Sequence, residues 1–157
     1  MRGRLYEIVH SALCVGHIGQ ALDLVGLHTL FRDAIDAEGG GGSGGERTVV
    51  QALECMYRLK SSSLVRLSVL VGATVGGTAT TEQVLAAQTF AEQLGVAFQI
   101  VDDVKNLCED IGKCALEDLQ SRKITYPVAL TMLKLPTRHQ RCEFYNLYTG
   151  GTVCKDW

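Results

Sequence analysis

The stretch Phe98-Gln99-Ile100-Val101-Asp102-Asp103-Val104-Lys105-Asn106 sets four polar side chains inside a strongly apolar run. Gln99, Asp102, Asp103 and Asn106 stand at i, i+3, i+4 and i+7, the spacing that lines side chains along one face of an α-helix. Phe98, Ile100, Val101, Val104 and Leu107 occupy the rest of the circumference and are expected to form a core surface. Two neighbouring carboxylates at the edge of such a surface repel each other and lose solvation. A divalent cation offsets both costs. Magnesium fits best, since it takes oxygen from one or two carboxylates and completes its shell with water and phosphate oxygens. From this stripe alone, an ordinary solvated helix face explains the pattern equally well.

Working outward, the helix that bears the stripe has a clear start. Thr80-Thr81-Glu82-Gln83 reads as a capping box, and the helix is expected to run to about Leu107. Before it, Arg47 to Val75 carries Val49, Val50, Leu53, Met56, Tyr57, Leu64, Leu67 and Leu70, with Gly76-Gly77 as its stop. Residues 39–45, Gly-Gly-Gly-Gly-Ser-Gly-Gly, lose too much backbone entropy on ordering to hold helix or strand. They are expected to form a flexible loop joining two helices rather than two domains. The first helix is expected from about Leu5 to Leu30 or beyond, apolar around most of its circumference and therefore interior. After the stripe come a polar stretch, Cys108 to Lys123, and a shorter helix from about Pro127 to Lys134 with proline in its first turn. The tail from Pro136 to Trp157 shows little period. With two prolines and apolar residues recurring at three and four, the expected architecture is all-α.

At 157 residues and 46% hydrophobic content the chain can bury the core of a single domain. Its 15 Lys+Arg against 17 Asp+Glu leave no basic field for a nucleic-acid backbone, so nucleic acid is not an expected partner. Six cysteines lack C-x-x-C spacing, and no uninterrupted apolar signal segment follows Met1-Arg2-Gly3-Arg4. Reduced, mostly buried cysteines in the cytoplasm are expected, with a plastid or other organelle left open. Segment 5–27 is broken by Glu7, His10, His17, Gln20 and Asp23, so it is expected not to span a membrane.

Two more strips carry chemistry. In the first helix Gly16, Gly19, Gln20 and Asp23 repeat the i, i+3, i+4, i+7 spacing, the glycines suiting close helix packing and Gln20 and Asp23 suiting a cavity wall. In the second, Lys60 and Ser61 follow Tyr57 on a core-side face, where a lysine ordinarily snorkels to solvent. Lys113 and Lys123 flank Glu117 and Asp118 beyond the carboxylate helix. Three lysines and at least two carboxylates are what a magnesium diphosphate complex requires.

These strings resemble those of trans-prenyl diphosphate synthases. Phe98 to Asn106 is similar to that family's second aspartate-rich motif, and Gly19-Gln20-Ala21-Leu22-Asp23-Leu24 to its G-Q-x-x-D-L motif. Lys60-Ser61 resembles its K-T motif, and Gly112-Lys113, Asp118, Lys123 and Tyr126-Pro127 its closing G-K-x-x-x-x-D-x-x-x-x-K segment. The resemblance implies an isoprenoid-synthase helical bundle, here partial, that condenses isopentenyl diphosphate with an allylic diphosphate and works as a homodimer or with another synthase subunit. It implies that Asp102 coordinates magnesium, with Asp103 supporting and Asp118 acting through water. Lys60 and Lys113 would contact the allylic diphosphate and Lys123 would assist. Gln99, Ser61 and Phe98 would line the substrate site, with Gln20 and Asp23 beside the growing chain.

Asn106 stands where the motif usually ends in Asp, and with Glu117-Asp118-Leu119 it points to geranylgeranyl-type members. The family's first aspartate-rich motif is absent, so a truncated chain or partial gene product is expected. The alternative is a non-catalytic or regulatory subunit. A class I terpene cyclase would need an N-D-x-x-S-x-x-x-E type motif, which this sequence lacks.

Overall fold

The computed structural model describes residues 2–37, 44–108 and 116–150; residues 39–43 of the glycine-rich loop, Lys113 and the chain from 151 lie outside the described residues. The elements are α1 (Arg2–Val25), α2 (His28–Ala37), α3 (Gly44–Tyr57), a π-helical turn (Arg58–Ser62), α4 (Ser63–Gly76), α5 (Thr81–Asn106), α6 (Glu117–Gln120), α7 (Tyr126–Lys134) and α8 (Arg138–Thr149). Among the described residues there is no strand, and the all-α expectation holds.

Local chemistry explains where the helices break. The single first helix of the sequence reading is two, because Gly26 takes a left-handed φ of 75°, open to glycine without steric cost. Helix α3 starts at Gly44, three residues before the expected Arg47, and the long second helix is interrupted in its middle by the π turn. Gly77, at φ 67°, closes α4 by donating its N–H to the Ala73 carbonyl. The capping box at α5 is present: Thr80 N–H donates to Gln83 Oε1 at 2.9 Å and Gln83 N–H to Thr80 Oγ1 at 3.2 Å. A second box, Thr137 with Gln140, opens α8, a helix that hydrophobic periodicity left unread.

The residues group into two compact units, Met1–Val25 with Glu54–Val101 and Gly26–Leu53 with Asp102–Trp157. In the first, α1 packs on the π turn and α4. Its buried residues include Gly19, Asp23, Ser62, Ser63 and Gln99 beside Met56, Tyr57, Ala91 and Val96, so small and polar groups share this interior with a few apolar ones. The second holds most of the conventional core: Phe31 and Ile35 of α2, Val49 and Leu53 of α3, Met132 and Leu133 of α7, and Cys142 and Tyr145 of α8. Tyr145 donates its hydroxyl to the His28 carbonyl at 2.9 Å, tying α8 to the start of α2.

Three expectations are corrected. Helix α1 is not interior: only Gly19 and Asp23 are buried, and Tyr6, Ile18, Leu24 and Val25 are exposed, because α1 has partners on one face only among the described residues. On α5 the polar stripe is the inward side. Gln99 and Asp103 are buried, whereas Phe98, Val101, Val104 and Leu107 are exposed. The cause is hydrogen bonding, since both buried polar groups have partners inside the fold while no described element covers the apolar flank. Cys14, Cys55 and Cys108 are exposed thiols, on helix faces or ends that nothing described covers; Cys142 alone of the described cysteines is buried. Helices α1 and α5 are each long and apolar enough to cross a membrane by length and composition, a test that core helices of helical bundles also pass.

Candidate active site

In the first unit the site is built on the π turn. A π turn widens the helix by one residue, is rare, and recurs at functional sites. Here it is pinched from two sides by glycines. A Cβ on Gly19 of α1 would fall on the backbone of Leu59 and Lys60, and one on Gly95 of α5 on the backbone and hydroxyl of Ser62. Close packing by Gly19 agrees with the sequence reading. Gly95 was missed, although a glycine inside a helix, one turn before Gln99 on the same face, was the available signal.

That approach lets four consecutive side chains find separate partners. Lys60 Nζ lies 2.7 Å from Asp23 Oδ2, with the carboxylate side chain 5% exposed. Ser61 Oγ donates to Gln99 Oε1 at 2.7 Å, Ser62 Oγ to the Glu92 carbonyl at 2.7 Å, and Ser63 Oγ to the Lys60 carbonyl at 3.2 Å. The structure therefore brings Asp23 to Lys60 and Gln99 to Ser61. Gln20 is exposed and lines, with Gly16, His17, Lys60 and Leu64, a cavity of about 240 Å³. Phe98 is exposed.

In the second unit the end of α5 organises the segment that follows. Asp103, 2% exposed, accepts the Tyr126 N–H at 3.1 Å through Oδ2. Tyr126 is the first residue of α7, and Thr125 before it makes no side-chain cap, so Asp103 caps α7 from a distant helix and faces its positive end. Asp103→Ala is expected to cost about 1–3 kcal/mol by leaving a buried N–H without its acceptor. Asp103→Asn, which keeps an oxygen, is expected to cost less. Urea denaturation of the two variants checks this, and equal losses would count against the cap.

Asn106 accepts the Asp118 N–H at 3.0 Å through its side chain and the Leu116 N–H at 2.8 Å through its carbonyl. Asn106 was read as a mark of subtype; here it also clamps the start of α6. Lys123 donates its backbone N–H to the Asp118 carbonyl at 2.9 Å, and the two side chains stand 3.9 Å apart. Tyr148, which no sequence motif singled out, donates its hydroxyl to the Lys123 carbonyl at 2.5 Å. Burial, and secondarily the Asp118 charge, pushes that phenol up to about 12 from an ordinary 10.0. The folded state thus favours the neutral phenol. Its contribution is complete below pH 10.0 and is lost as pH rises through about 12. Burial raises the Tyr145 phenol as well, so ultraviolet titration is expected to show late phenol ionisation that Tyr148→Phe reduces without abolishing; an undiminished late step in the variant would assign it elsewhere.

Asp102 stands half-buried beside Asp103 at the end of α5. Among the described residues, no three His, Cys, Asp or Glu side chains converge as a metal site. Magnesium takes one or two carboxylates from a protein and completes its shell with water and phosphate oxygens, and the carboxylates at the end of α5 are donors of that kind.

The polyprenyl synthetase family matches residues 2–156. The chain is 31% identical to the chloroplastic geranylfarnesyl diphosphate synthase of Leucosceptrum canum, over 74% of this chain and 33% of that protein. It is 30% identical to geranylgeranyl pyrophosphate synthase 7, chloroplastic, of Arabidopsis thaliana, over 80% and 37%. With farnesyl diphosphate synthase of Geobacillus stearothermophilus it shares 36% identity over 63% and 33%. The matched region spans about a third of these relatives' length. No solved structure matches the chain. With the family matched across nearly all of its residues, the chain belongs to the polyprenyl synthetases.

Proposed function

We propose that this chain carries part of the active centre of a geranylgeranyl-type prenyl diphosphate synthase, which condenses isopentenyl diphosphate with an allylic diphosphate. The observation that carries the reading is the π turn presenting Lys60 and Ser61 to Asp23 and Gln99, an arrangement in which every polar group is held before substrate arrives. Preorganised charge of this kind is what ionisation of a diphosphate ester needs.

The roles follow from the chemistry of each group. Lys60 would neutralise a diphosphate oxygen; two of its three ammonium protons are directed elsewhere than Asp23 Oδ2 and can serve a ligand. The paired Ser61 and Gln99 oxygens would turn dipoles toward positive charge developing at the allylic carbon. Asp102 would hold magnesium, and when bound that ion supplies charge neutralisation of the departing diphosphate. Lys123 and Lys113 would neutralise diphosphate charge as well, with Asp118 acting through water. The protein needs no nucleophile, because the double bond of isopentenyl diphosphate attacks and diphosphate takes the released proton. Exposed apolar residues such as Leu24, Val25, Phe90 and Phe98 support association with a second synthase chain, of the same or another kind. The chloroplastic names among the relatives support a plastid as its compartment.

A second reading has its own support. Because no carboxylate trio converges among the described residues, a non-catalytic or regulatory subunit is also consistent with the chain. Incubating the full chain with magnesium, isopentenyl diphosphate and an allylic diphosphate separates the two. Prenyl product from the chain alone supports the catalytic reading. No product alone, with altered product or rate when a complete synthase is added, supports the subunit. No effect in either mixture sinks both.

A further inference from the structure

Helix α8 belongs to none of the motifs that carry the chemistry, yet its last turn grips the segment bearing Asp118 and Lys123. Four observations converge there. The Tyr148 hydroxyl sits on the Lys123 carbonyl at 2.5 Å and 3.4 Å from the Asp118 carbonyl, so one phenol spans the backbone of both charged residues. Arg122 Nη1 donates to the Thr149 carbonyl at 3.0 Å. A side chain on Gly150, which stands at φ 67°, would collide with that guanidinium. Leu116 and Arg122 both hold left-handed φ values, 66° and 57°, a conformation that non-glycine residues keep only where surrounding structure imposes it.

We infer that Tyr148 is a positioning residue for the diphosphate site, fixing the backbone of Lys123 so that its ammonium is delivered to one place. A lysine head on four methylenes is placed no better than the backbone that bears it. The Lys123 N–H is held by the Asp118 carbonyl and its own carbonyl by Tyr148, so its backbone is fixed from both sides. The phenol is in turn held by its neighbours, since Phe144 stacks on it with centroids 6.0 Å apart and planes 8° from parallel. The inference rests on the reading of Lys123 as a diphosphate ligand.

The test uses the full chain in two measurements, hydrogen exchange of the amides in 116–125 and calorimetric titration with inorganic diphosphate in magnesium. The proteins are the wild type, Tyr148→Phe, Lys123→Met and the double variant. Phenylalanine keeps the ring stack and deletes only the hydroxyl. Tyr148→Phe is expected to speed exchange at Ser121 and Lys123 and to weaken diphosphate binding by about five-fold, the loss of one hydrogen bond. In the Lys123→Met background the same change is expected to have no further effect on binding. An equal loss in both backgrounds, unchanged binding, or unchanged exchange in Tyr148→Phe overturns the positioning role. A wild-type chain that binds no diphosphate overturns the functional reading instead, before any variant is compared. Should Tyr148→Phe not fold, Arg122→Met, which removes the bond to Thr149, carries the same cycle. Coupling to Lys123 then supports the inference and additivity overturns it.

Discussion

Alanine at Gly19 is expected to destabilise the chain by about 3 kcal/mol, the upper range for forcing an atom into a filled interior. The sign is not obvious, since a glycine-to-alanine change inside a helix ordinarily gains about 1 kcal/mol of propensity. Space decides it. At Gly19 the new methyl would overlap the backbone of Leu59 and Lys60, which are peptide atoms that no rotamer change can move aside. Helix α1 must therefore lift from the π turn, stretching the Lys60 to Asp23 ion pair as it goes. Gly95→Ala meets the Ser62 backbone and is expected to behave alike. Gly72, in α4, is the internal control: nothing lies within 4 Å of its added Cβ, so Gly72→Ala is expected to stabilise by about 0.5–1 kcal/mol. Chemical denaturation of the three variants reads all the signs at once. Stabilisation by Gly19→Ala would mean that α1 and the π turn do not touch.

Replacing Lys60 with methionine is expected to remove diphosphate binding and also to cost about 3 kcal/mol of stability, the lower range for taking one partner from a buried ion pair. Methionine keeps the length and apolar stem of lysine, so packing changes little. What changes is that the Asp23 carboxylate stays buried without the ammonium 2.7 Å away. Neutralising both partners, Asp23→Asn with Lys60→Met, is expected to recover most of the stability, since replacing a buried pair by neutral groups is often close to energetically even. It is not expected to recover binding. Stability restored while binding stays lost would separate the two tasks of Lys60. Binding retained by Lys60→Met would remove this lysine from the site.

The helices and their limits were largely legible because their signals are local. Thr80 and Gln83 announce α5 within four residues, and Pro127 announces the first turn of α7. The break at Gly26 and the π turn were not legible, since a single glycine within an apolar run carries no instruction about φ and one surplus residue leaves the apolar period almost unaltered. Helix α8 had a signal in Thr137 and Gln140, overlooked because its hydrophobic period is weak. For the site, residue types and spacing singled out Asp23, Lys60, Ser61, Gln99, Asp102 and Asp118. The direction of the α5 stripe was misjudged because apolar side chains were assumed to face inward. Burial follows available partners, and those of Gln99 and Asp103 come from Ser61 and Tyr126, residues 38 and 23 positions away in the chain. Tyr148 depends on a carbonyl 25 positions upstream, which no local pattern encodes.

The π turn at 58–62 also sets how this stretch tolerates changes in length. An α-helix advances by about 100° per residue, and the widened turn absorbs one residue beyond that advance, so a one-residue deletion here would close it to plain α-helix and leave the phase of α4 nearly unchanged. What would be lost is the spread of Lys60 to Ser62 over separate partners, such as Ser61 on Gln99 and Ser62 on the Glu92 carbonyl. A one-residue deletion is therefore expected to disturb the fold less at 58–62 than within the regular turns of α4 or α5, while undoing the arrangement around Lys60. When relatives are aligned, a one-residue gap between Tyr57 and Ser63 marks a chain that lacks this turn.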